Sequence, residues 1–328
     1  MSDLIIYGAT GYTGRLSAAN AKKQGLKFTI AARNEKGLKE LAAELGVPFL
    51  VFSVDEREKV DAALKDNLVL LNTAGPFFRT AEPLIDAAIR NRVHYLDTAA
   101  ELDSYYLAEK RDAEANEAGI TIMPGAGGSV AQFGSLAGRV ILPGQKIKSL
   151  DIALAVTGPM SRGSVISATE NITTSTLQRN GGEVVAAKSP ELVEFDFDNG
   201  MGPVQCFQIT LPDVITLGKS TGVPNIRTFL HTTGGFPTGD LVLLPDGPTP
   251  GERDSNPYQV SVIATAEDGT VRRAVLHTMN GYSFTTLASV EAARRILGGE
   301  VQTGFQTPAE VFGAGFAETI GGTTFKFL

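Results

Sequence analysis

The sequence is poor in the residues that build disulfides and metal sites. It has 328 residues, a single cysteine, three histidines and no tryptophan. The lone Cys206 excludes an intrachain disulfide, which fits a reducing compartment and leads us to expect a cytoplasmic protein. His94, His231 and His277 are far apart in the chain, so no metal-site spacing is present and we expect no bound metal.

Long apolar runs and blocks of positive charge are also missing. No segment approaches the roughly 18 consecutive apolar residues that a membrane-spanning helix needs, so we expect no membrane partner. The formal net charge is −7 and basic residues form no cluster, which argues against a nucleic-acid partner. With 43% apolar and 20% charged residues, the composition is that of a globular protein with enough chain for one large or two medium domains.

Three evenly spaced glycines stand near the start of the chain. The stretch LIIYGATGYTGR places Gly8, Gly11 and Gly14 between a short apolar run and a helical stretch. Such glycines let phosphate approach the N–H groups at a helix N-terminus, and the GxxGxxG spacing is a variant seen with NADP. The alternative is a tight strand–helix turn without a ligand. The predicted cofactor contacts of this loop are Gly8, Thr10, Gly11, Tyr12, Thr13, Gly14 and Arg15.

The organisation of the chain changes after Met123. Up to that residue short apolar strands alternate with helices of about ten residues, which predicts an α/β fold with a Rossmann doubly wound parallel sheet. Beyond the glycine-rich stretch Pro124–Gly138, strands separated by Gly, Pro and Asp predict a second α+β domain with a mostly antiparallel sheet. We therefore predict a dinucleotide-binding domain over 1–127, a substrate and dimerisation domain over 128–284, and C-terminal helices over 285–328 that pack back on the Rossmann domain.

The second half of the chain carries weaker local signals. We predict helices over Val165–Arg179, Val290–Leu297 and Pro308–Ile320. A polar, loop-rich stretch is predicted over Gly218–Gly235, and the proline-rich stretch Phe236–Pro257 is predicted to be a long surface loop.

The ends of the second and fourth strands indicate which dinucleotide binds. An NAD enzyme would carry Asp or Glu after the second strand, whereas IAARN places Arg33 there. A guanidinium group can clamp the 2′-phosphate of NADP, so NADP is predicted in preference to NAD; the alternative is a solvated surface arginine. The sequence NTAGPF after the fourth strand is either a plain turn or a contact to the cofactor's ribose and nicotinamide through Asn72, Thr73, Ala74, Gly75 and Pro76.

Four motifs occur in order: GATGYTGR, NTAGPF, HYLDTAAE and PGAGG. With them the chain resembles the saccharopine dehydrogenase-like oxidoreductases, especially the short, trans-acting enoyl reductase-like branch. The resemblance implies an NAD(P)-dependent reductase or dehydrogenase with a Rossmann domain, a sheet-rich second domain, a small-molecule substrate and a homodimer. One motif departs from the family: Ser129 and Gly134 stand where relatives carry aspartates, which leaves the mechanism and the substrate open.

Hydride transfer needs a proton donor beside the nicotinamide, near the ends of strands four to six. Asp97 and Glu101 are the candidate general acids. In the alternative interpretation Asp97 caps the helix that begins near Leu102, and Glu101 is a solvated charge at the helix start. Tyr106 and Lys110, one helical turn apart, form a further candidate pair of the short-chain dehydrogenase type.

The second domain adds candidates but no motif. His231 and His277 are possible acids, Arg227 and Lys219 possible carboxylate ligands, and Cys206 is predicted to be a buried apolar residue. The sequence thus predicts an NADP-dependent oxidoreductase of unidentified substrate. The alternatives are an inactive dinucleotide-binding sensor or scaffold, and a short-chain-type reductase.

Overall fold

The computed structural model describes residues 3–170, 175–233 and 244–328. Its first part alternates strands and helices as the sequence predicts. The elements are β1 (Leu4–Tyr7), α1 (Tyr12–Lys23), β2 (Phe28–Ala32), α2 (Glu35–Leu45), β3 (Phe49–Val51), α3 (Arg57–Leu64), β4 (Val69–Asn72), α4 (Phe77–Asn91), β5 (His94–Asp97), α5 (Leu102–Lys110), α6 (Asp112–Ala118) and β6 (Thr121–Met123).

The remaining elements mix helices with longer strands. They are α7 (Gly128–Val140), β7 (Ile147–Val156), α8 (Arg162–Glu170), β8 (Leu177–Asn180), β9 (Glu183–Ala186), β10 (Leu192–Phe195), β11 (Val204–Ile209), α9 (Asp213–Thr221), β12 (Ile226–Thr232), α10 (Pro250–Ser255), β13 (Tyr258–Ala266), β14 (Val271–Thr278), α11 (Gly281–Leu297), β15 (Gly304–Phe305), α12 (Pro308–Phe312), a 3-10 turn (Ala317–Thr319) and β16 (Thr324–Phe327).

The first sheet has seven parallel strands in the order β15-β6-β5-β4-β1-β2-β3. Strands β1 and β4 are wholly buried, as expected for a parallel sheet covered by helices on both faces. The strand order reverses between β1 and β4. In such sheets ligands bind at this switch point, outside the carboxyl ends of the strands. The prediction of a Rossmann sheet is confirmed.

The second sheet follows the order β10-β11-β12-β7-β13-β14-β16, with β8 paired to β12 and to β9. Strand β12 runs parallel to β7, and the other described pairs of this sheet are antiparallel. The prediction of a second, mostly antiparallel sheet is therefore also confirmed.

Helix α7 packs on the second sheet and on α11, and it is buried along Val130–Ala137. It follows β6 after a short loop and packs on β13, β14, α9 and α11. A Cβ at Gly134 would lie 2.9 Å from the Cβ of Ala309 on α12. An aspartate at this position would require Ala309 on α12 to shift, which explains the glycine here.

Two predictions for residues 165–235 are wrong. The helix predicted over Val165–Arg179 ends at Glu170, and its last residues belong to strand β8; residues 171–174 lie outside the described residues. The loop predicted over Gly218–Gly235 contains the end of α9 and all of β12. Pairing of β12 with β7 in the sheet interior outweighs the polar residues of this stretch and the glycines that flank the strand.

The last part of the chain contacts both sheets. Helix α11 packs on α1, β15 extends the Rossmann sheet beside β6, and β16, which was not predicted, pairs with β14 in the second sheet. The helix predicted over Pro308–Ile320 is interrupted after Phe312 because Gly313 takes a left-handed φ of +83°. Of the predicted loop Phe236–Pro257, residues 236–243 lie outside the described residues, and α10 occupies part of the rest.

Candidate functional site

The glycine loop joins β1 to α1 at the switch point of the first sheet. Gly8 has a φ of +82°, and a Cβ there would lie 2.7 Å from the amide nitrogen of Ala74. A Cβ on Gly14 would lie 2.2 Å from the carbonyl oxygen of Gly8, so only glycine lets α1 begin this close to β1. Gly11 is exposed at the N-cap of α1. The loop thus presents bare backbone at the positive end of the α1 dipole.

A pocket of about 390 Å³ adjoins this loop. Tyr7, Arg33 and residues 53–55 line one side, and residues 74–76 with Arg79 line the other. Both arginines are exposed, which places two cations at the mouth of the pocket. The structure therefore brings the Arg33 predicted after strand two together with the turn predicted after strand four.

The remaining loop residues are held by local contacts. Arg15 donates from Nε to the carbonyl oxygen of Thr10 at 3.1 Å, which braces the loop from the exposed side. Thr10 and Thr13 are partly exposed. Behind the pocket, Asn34 caps α2 by accepting from the amide of Gly37 at 3.1 Å, which fixes the chain directly after Arg33.

The polar side chains at the end of β4 are used to build the turn. Asn72 is fully buried and donates to the Tyr95 hydroxyl and to Thr80, each at 3.1 Å, while it accepts from the amide of Ala74. Thr73 donates its hydroxyl to the carbonyl oxygen of Tyr7 at 2.8 Å. These bonds leave the stretch 74–76 as the part of the predicted motif that faces the pocket.

Asp97 is fully buried in a network that ties β5 to the loop after β6. Its Oδ2 accepts from the Tyr95 hydroxyl at 2.9 Å, and its Oδ1 accepts from the amides of Ala99 at 2.9 Å and Gly125 at 2.8 Å. Burial raises the pKa of Asp97 to about 7, although these hydrogen bonds oppose the rise. The N-cap of α5 is Glu101, so the expectation that Asp97 caps this helix is wrong.

Glu101 is also buried rather than solvated. Only 5% of the residue is exposed, and its carboxylate accepts from the amides of Ala100 at 3.1 Å and Phe77 at 3.4 Å. The interpretation of Glu101 as a solvated helix-start charge is therefore wrong. Its carboxylate links the start of α5 to the start of α4.

Tyr106 and Lys110 lie on the exposed face of α5. Burial of part of the ring raises the pKa of Tyr106, and the nearby carboxylates of Glu109 and Asp103 raise it further. A short-chain dehydrogenase needs the opposite shift, a phenol whose pKa a lysine lowers. The geometry does not support catalysis by this pair.

The second domain contacts the start of α1 through Tyr12. The Tyr12 hydroxyl donates to the carbonyl oxygen of Pro248 and accepts from Arg253 Nη1 at 2.8 Å. Its ring packs edge-on against Tyr282, with centroids 5.4 Å apart. The Tyr282 hydroxyl accepts from the amide of Ser161 at 2.7 Å. Sequence analysis missed these partners because no local signal connects residues so far apart in the chain.

The charged candidates of the second domain are engaged in ion pairs. Arg227 binds Asp151 through two 2.7 Å contacts and Glu191 through a third, and Lys219 pairs with Glu310 at 2.6 Å. These contacts satisfy the two cations that were candidate carboxylate ligands.

The two histidines and the cysteine of the second domain are held by packing contacts. His231 lies beside the ring of Phe197 and within 3.2 Å of the carbonyl oxygen of Gln205. The Nε2 atom of His277 is buried. Cys206 is buried, as predicted, and burial raises the pKa of its thiol to about 12. Within residues 3–170, 175–233 and 244–328, no cluster of His, Cys, Asp and Glu could hold a metal, and no helix could span a membrane.

Comparisons with known sequences support the dinucleotide site. Residues 4–123 match the family model of the saccharopine dehydrogenase NADP binding domain. A trans-acting enoyl reductase from Mycobacterium leprae is 30% identical over 107 residues, which is 30% of this chain and 26% of the relative. A lipid droplet localized protein from Caenorhabditis elegans is 27% identical over 142 residues, or 38% of this chain and 33% of that protein. The matches thus span about a quarter to a third of these relatives.

Solved structures share the whole fold. The saccharopine dehydrogenase (L-Glu forming) of Saccharomyces cerevisiae superposes over 100% of both chains with a TM-score of 0.68 and 14% identity. A homospermidine synthase from Legionella pneumophila, solved in complex with NAD, superposes with a TM-score of 0.65 and 12% identity over 100% of this chain and 91% of its own. The fold and the glycine loop are typical of a dinucleotide-binding Rossmann domain. Over residues 4–123 this domain is similar to the saccharopine dehydrogenase NADP binding domain, in agreement with the motifs.

Proposed function

We propose that the protein is an NADP-dependent oxidoreductase that transfers a hydride between the nicotinamide and a small-molecule substrate. The observation that carries this proposal is the pocket at the ends of β1, β2 and β4, which Tyr7, the residue before the glycine loop, lines together with Arg33 and Arg79. Gly8 and Gly14 let the turn 74–76 and the start of α1 pack closely against the end of β1, and the two exposed cations of the pocket suit a phosphate monoester.

Each part of the site has a role in this proposal. The loop from Gly8 to Gly14 holds the pyrophosphate against the start of α1. Arg33 binds the 2′-phosphate, with Arg79 across the pocket, and the turn 74–76 lies along the ribose and nicotinamide. When bound, the nicotinamide supplies or accepts the hydride, while the protein supplies position and a proton.

The substrate is proposed by class. The Mycobacterium leprae relative is named a trans-acting enoyl reductase, which supports a substrate with a carbonyl or an enoyl group. Asp97 and Glu101 lie at the correct edge of the sheet, but backbone amides occupy their carboxylates. We therefore propose that these two acids position the loops around the substrate.

Titration calorimetry with NADPH and NADH at one salt concentration tests the proposal. We expect the wild type to prefer NADPH, and Arg33→Ala to weaken NADPH binding about tenfold or more, the worth of a charge-assisted phosphate contact. NADH binding should stay nearly unchanged. Arg273→Ala, which removes an exposed arginine from β14 in the other sheet, is the matched control and should change neither affinity.

Failure to bind either dinucleotide would refute the proposal. Equal weakening of NADPH and NADH by Arg33→Ala would leave a dinucleotide site but remove the preference for NADP. The second candidate, an inactive sensor, is favoured by the full engagement of Asp97 and Glu101, and it predicts tight NADPH binding without turnover of any carbonyl or enoyl substrate. The homodimer expected from the resemblance remains a prediction that light scattering can check.

A further inference from the structure

The N-terminus of α7 opens at the same edge of the Rossmann sheet as the glycine loop, because α7 directly follows the loop after β6. Its start is fixed against α11: a Cβ on Gly127 would lie 2.4 Å from the carbonyl oxygen of Thr285. The first turn carries no acidic side chain. The free N–H groups and dipole of a 13-residue helix therefore favour negative charge at this position.

A buried carboxyl group stands directly behind this turn. Asp213, at the start of α9, has no exposed surface, and its Oδ2 accepts a 2.8 Å hydrogen bond from the hydroxyl of Ser129. Its Oδ1 is buried without a hydrogen-bonding partner anywhere in the described part of the chain. Ser129 itself is partly exposed. One hydrogen bond thus connects a buried acid to a hydroxyl on the accessible first turn of α7.

The surroundings of Asp213 favour its protonated form. Burial raises the pKa of Asp213 to about 7, against the opposing influence of Ser129 and of Thr216, one turn along α9. No hydrogen bond of normal geometry joins Thr216 Oγ1 to a partner among the described residues.

Few charges face this carboxyl group from the neighbouring elements. Tyr105 approaches it from α5, close enough for the Asp213 charge to raise the phenol pKa, and Asp97 and Glu101 act on the same phenol. The guanidinium of Arg179 on β8 lies against Gly218, further along α9. The rise in the pKa of Asp213 comes from its burial, and this lets the acid hold a proton near neutral pH.

We propose that the first turn of α7 binds the substrate's carbonyl oxygen, with Ser129 as the proton donor and Asp213 as the acid that replaces the proton. This rests on the proposed function, since the reduced nicotinamide must supply the hydride. As the carbonyl π electrons move to oxygen, the oxyanion takes the Ser129 hydroxyl proton and forms an O–H bond. When Asp213 is protonated, the 2.8 Å contact runs from its carboxyl O–H to Ser129 Oγ, so Ser129 takes that proton as it gives up its own. The resulting carboxylate regains a proton from solvent through the partly exposed Ser129 hydroxyl.

The test uses oxamate, a small carbonyl-bearing anion, as the probe, with the full-length protein already saturated with NADP. Calorimetry in two buffers of different protonation enthalpy reports both the oxamate affinity and the protons taken up on binding. Asp213 is mostly ionised at about pH 8, and a bound anion raises its pKa, so we expect uptake that approaches one proton per site. At about pH 6 the carboxyl group already carries its proton, and uptake should nearly vanish.

Two variants and one control locate the effect. Asp213→Asn keeps the size of the side chain and an acceptor for Ser129, and it should abolish proton uptake at the higher pH. Ser129→Ala should weaken oxamate about tenfold, the worth of one hydrogen bond to a charged group. Ser135→Ala makes the same change further along α7, where the hydroxyl accepts from the amide of Ala317, and should change neither quantity.

The outcomes separate this inference from the proposed function. A protein that binds NADPH but not oxamate, or whose proton uptake survives in Asp213→Asn, would overturn the role of Ser129 and Asp213 alone. A protein that fails to bind NADPH would overturn the proposed function itself. Because Ser129 is partly exposed and Asp213→Asn conserves volume, both variants should fold, and thermal melts of the same samples check this.

Discussion

The two halves of the Rossmann sheet's carboxyl edge use their residues in different ways. In the half that we propose to bind the nucleotide, the nucleotide half at the ends of β1 to β4, the pocket is lined by the turn 74–76 and by the exposed Arg33 and Arg79. In the half that we propose to bind the substrate, the substrate half at the ends of β5 and β6, Asp97, Glu101 and Tyr105 are buried and bonded to backbone groups. The nucleotide half leaves its charged side chains exposed, whereas the substrate half uses its polar side chains to hold its loops.

This contrast shows in which half the type of a residue indicates its role. The nucleotide half depends on the absence of Cβ atoms at fixed spacing, a requirement that a short sequence expresses directly. In the substrate half the sequence alone does not distinguish an aspartate that faces a substrate from one that, like Asp97, accepts hydrogen bonds from two amides and a phenol. The following substitutions test that division.

The largest effect is expected in the nucleotide half, from Gly14→Val. The added side chain meets the carbonyl oxygen of Gly8 at the start of α1, where a Cβ alone would lie at 2.2 Å. Relief requires that α1 move away from β1, so we expect the free energy of unfolding in urea to fall by about 3 kcal/mol or more, as for other severe overpacking. NADPH binding should be lost.

Gly11→Ala is the matched substitution in the same loop. A Cβ at Gly11 would have its nearest neighbour at 3.4 Å, so we expect stability to change by no more than about 1 kcal/mol. Because this glycine is exposed where phosphate would approach, NADPH affinity should still fall about tenfold. Equal stability losses in the two variants would show that close packing of α1 on β1 is not what the third glycine provides.

In the substrate half, Asp97→Asn tests whether the buried carboxyl group lowers stability as pH rises. The pKa of Asp97 is raised from 3.8 to about 7 in the folded protein, so between these values the folded state keeps a proton that the unfolded chain has lost. The free energy of unfolding should therefore fall as pH increases, by about 1.4 kcal/mol per pH unit for this group. When the free energy of urea unfolding is plotted against pH from about pH 4 to 7, the slope of the asparagine variant should be more positive than that of the wild type by this amount.

Glu35→Gln is the control for the direction of this pH dependence. Lys39 lowers the pKa of Glu35, so this group contributes stability above its unfolded pKa that is lost as pH falls. Removal of Glu35 should therefore change the slope in the opposite direction, and weakly, because the pair is exposed. If Asp97→Asn and Glu35→Gln shifted the slope in the same direction, the account of Asp97 as a carboxyl group that is protonated in the fold would be wrong.

Sequence analysis recovers the fold of the first domain because its requirements are local. Short buried strands, helices of regular period and glycines with a left-handed φ, as at Gly8, all leave a signal within about ten residues. The pocket residues Arg33 and 74–76 follow from their places after strands of a known fold. What the sequence hides are partners distant in the chain, such as Asp213 behind Ser129, since α9 itself gave no helical signal strong enough to predict.

The smallest effect is expected where the second domain contacts the nucleotide half. Tyr12→Phe removes the hydroxyl that donates to Pro248 and accepts from Arg253, and we expect a loss of about 1 kcal/mol in the free energy of unfolding. NADPH affinity should change less than about threefold, because Arg253 keeps its bonds to Pro248 and Ser283 and the 244–255 segment stays in place.

A double-mutant cycle with Arg253→Met isolates this contact, and Tyr282→Phe, which removes the hydroxyl that binds Ser161 instead, is its control. A coupling energy near 1 kcal/mol between Tyr12 and Arg253, with none between Tyr282 and Arg253, would show that the loop is joined to the second domain by this hydrogen bond. A large loss of NADPH affinity in Tyr12→Phe would instead mean that the nucleotide half, like the substrate half, depends on side chains that hold its loops in place. The two halves would then differ less than the exposed arginines suggest.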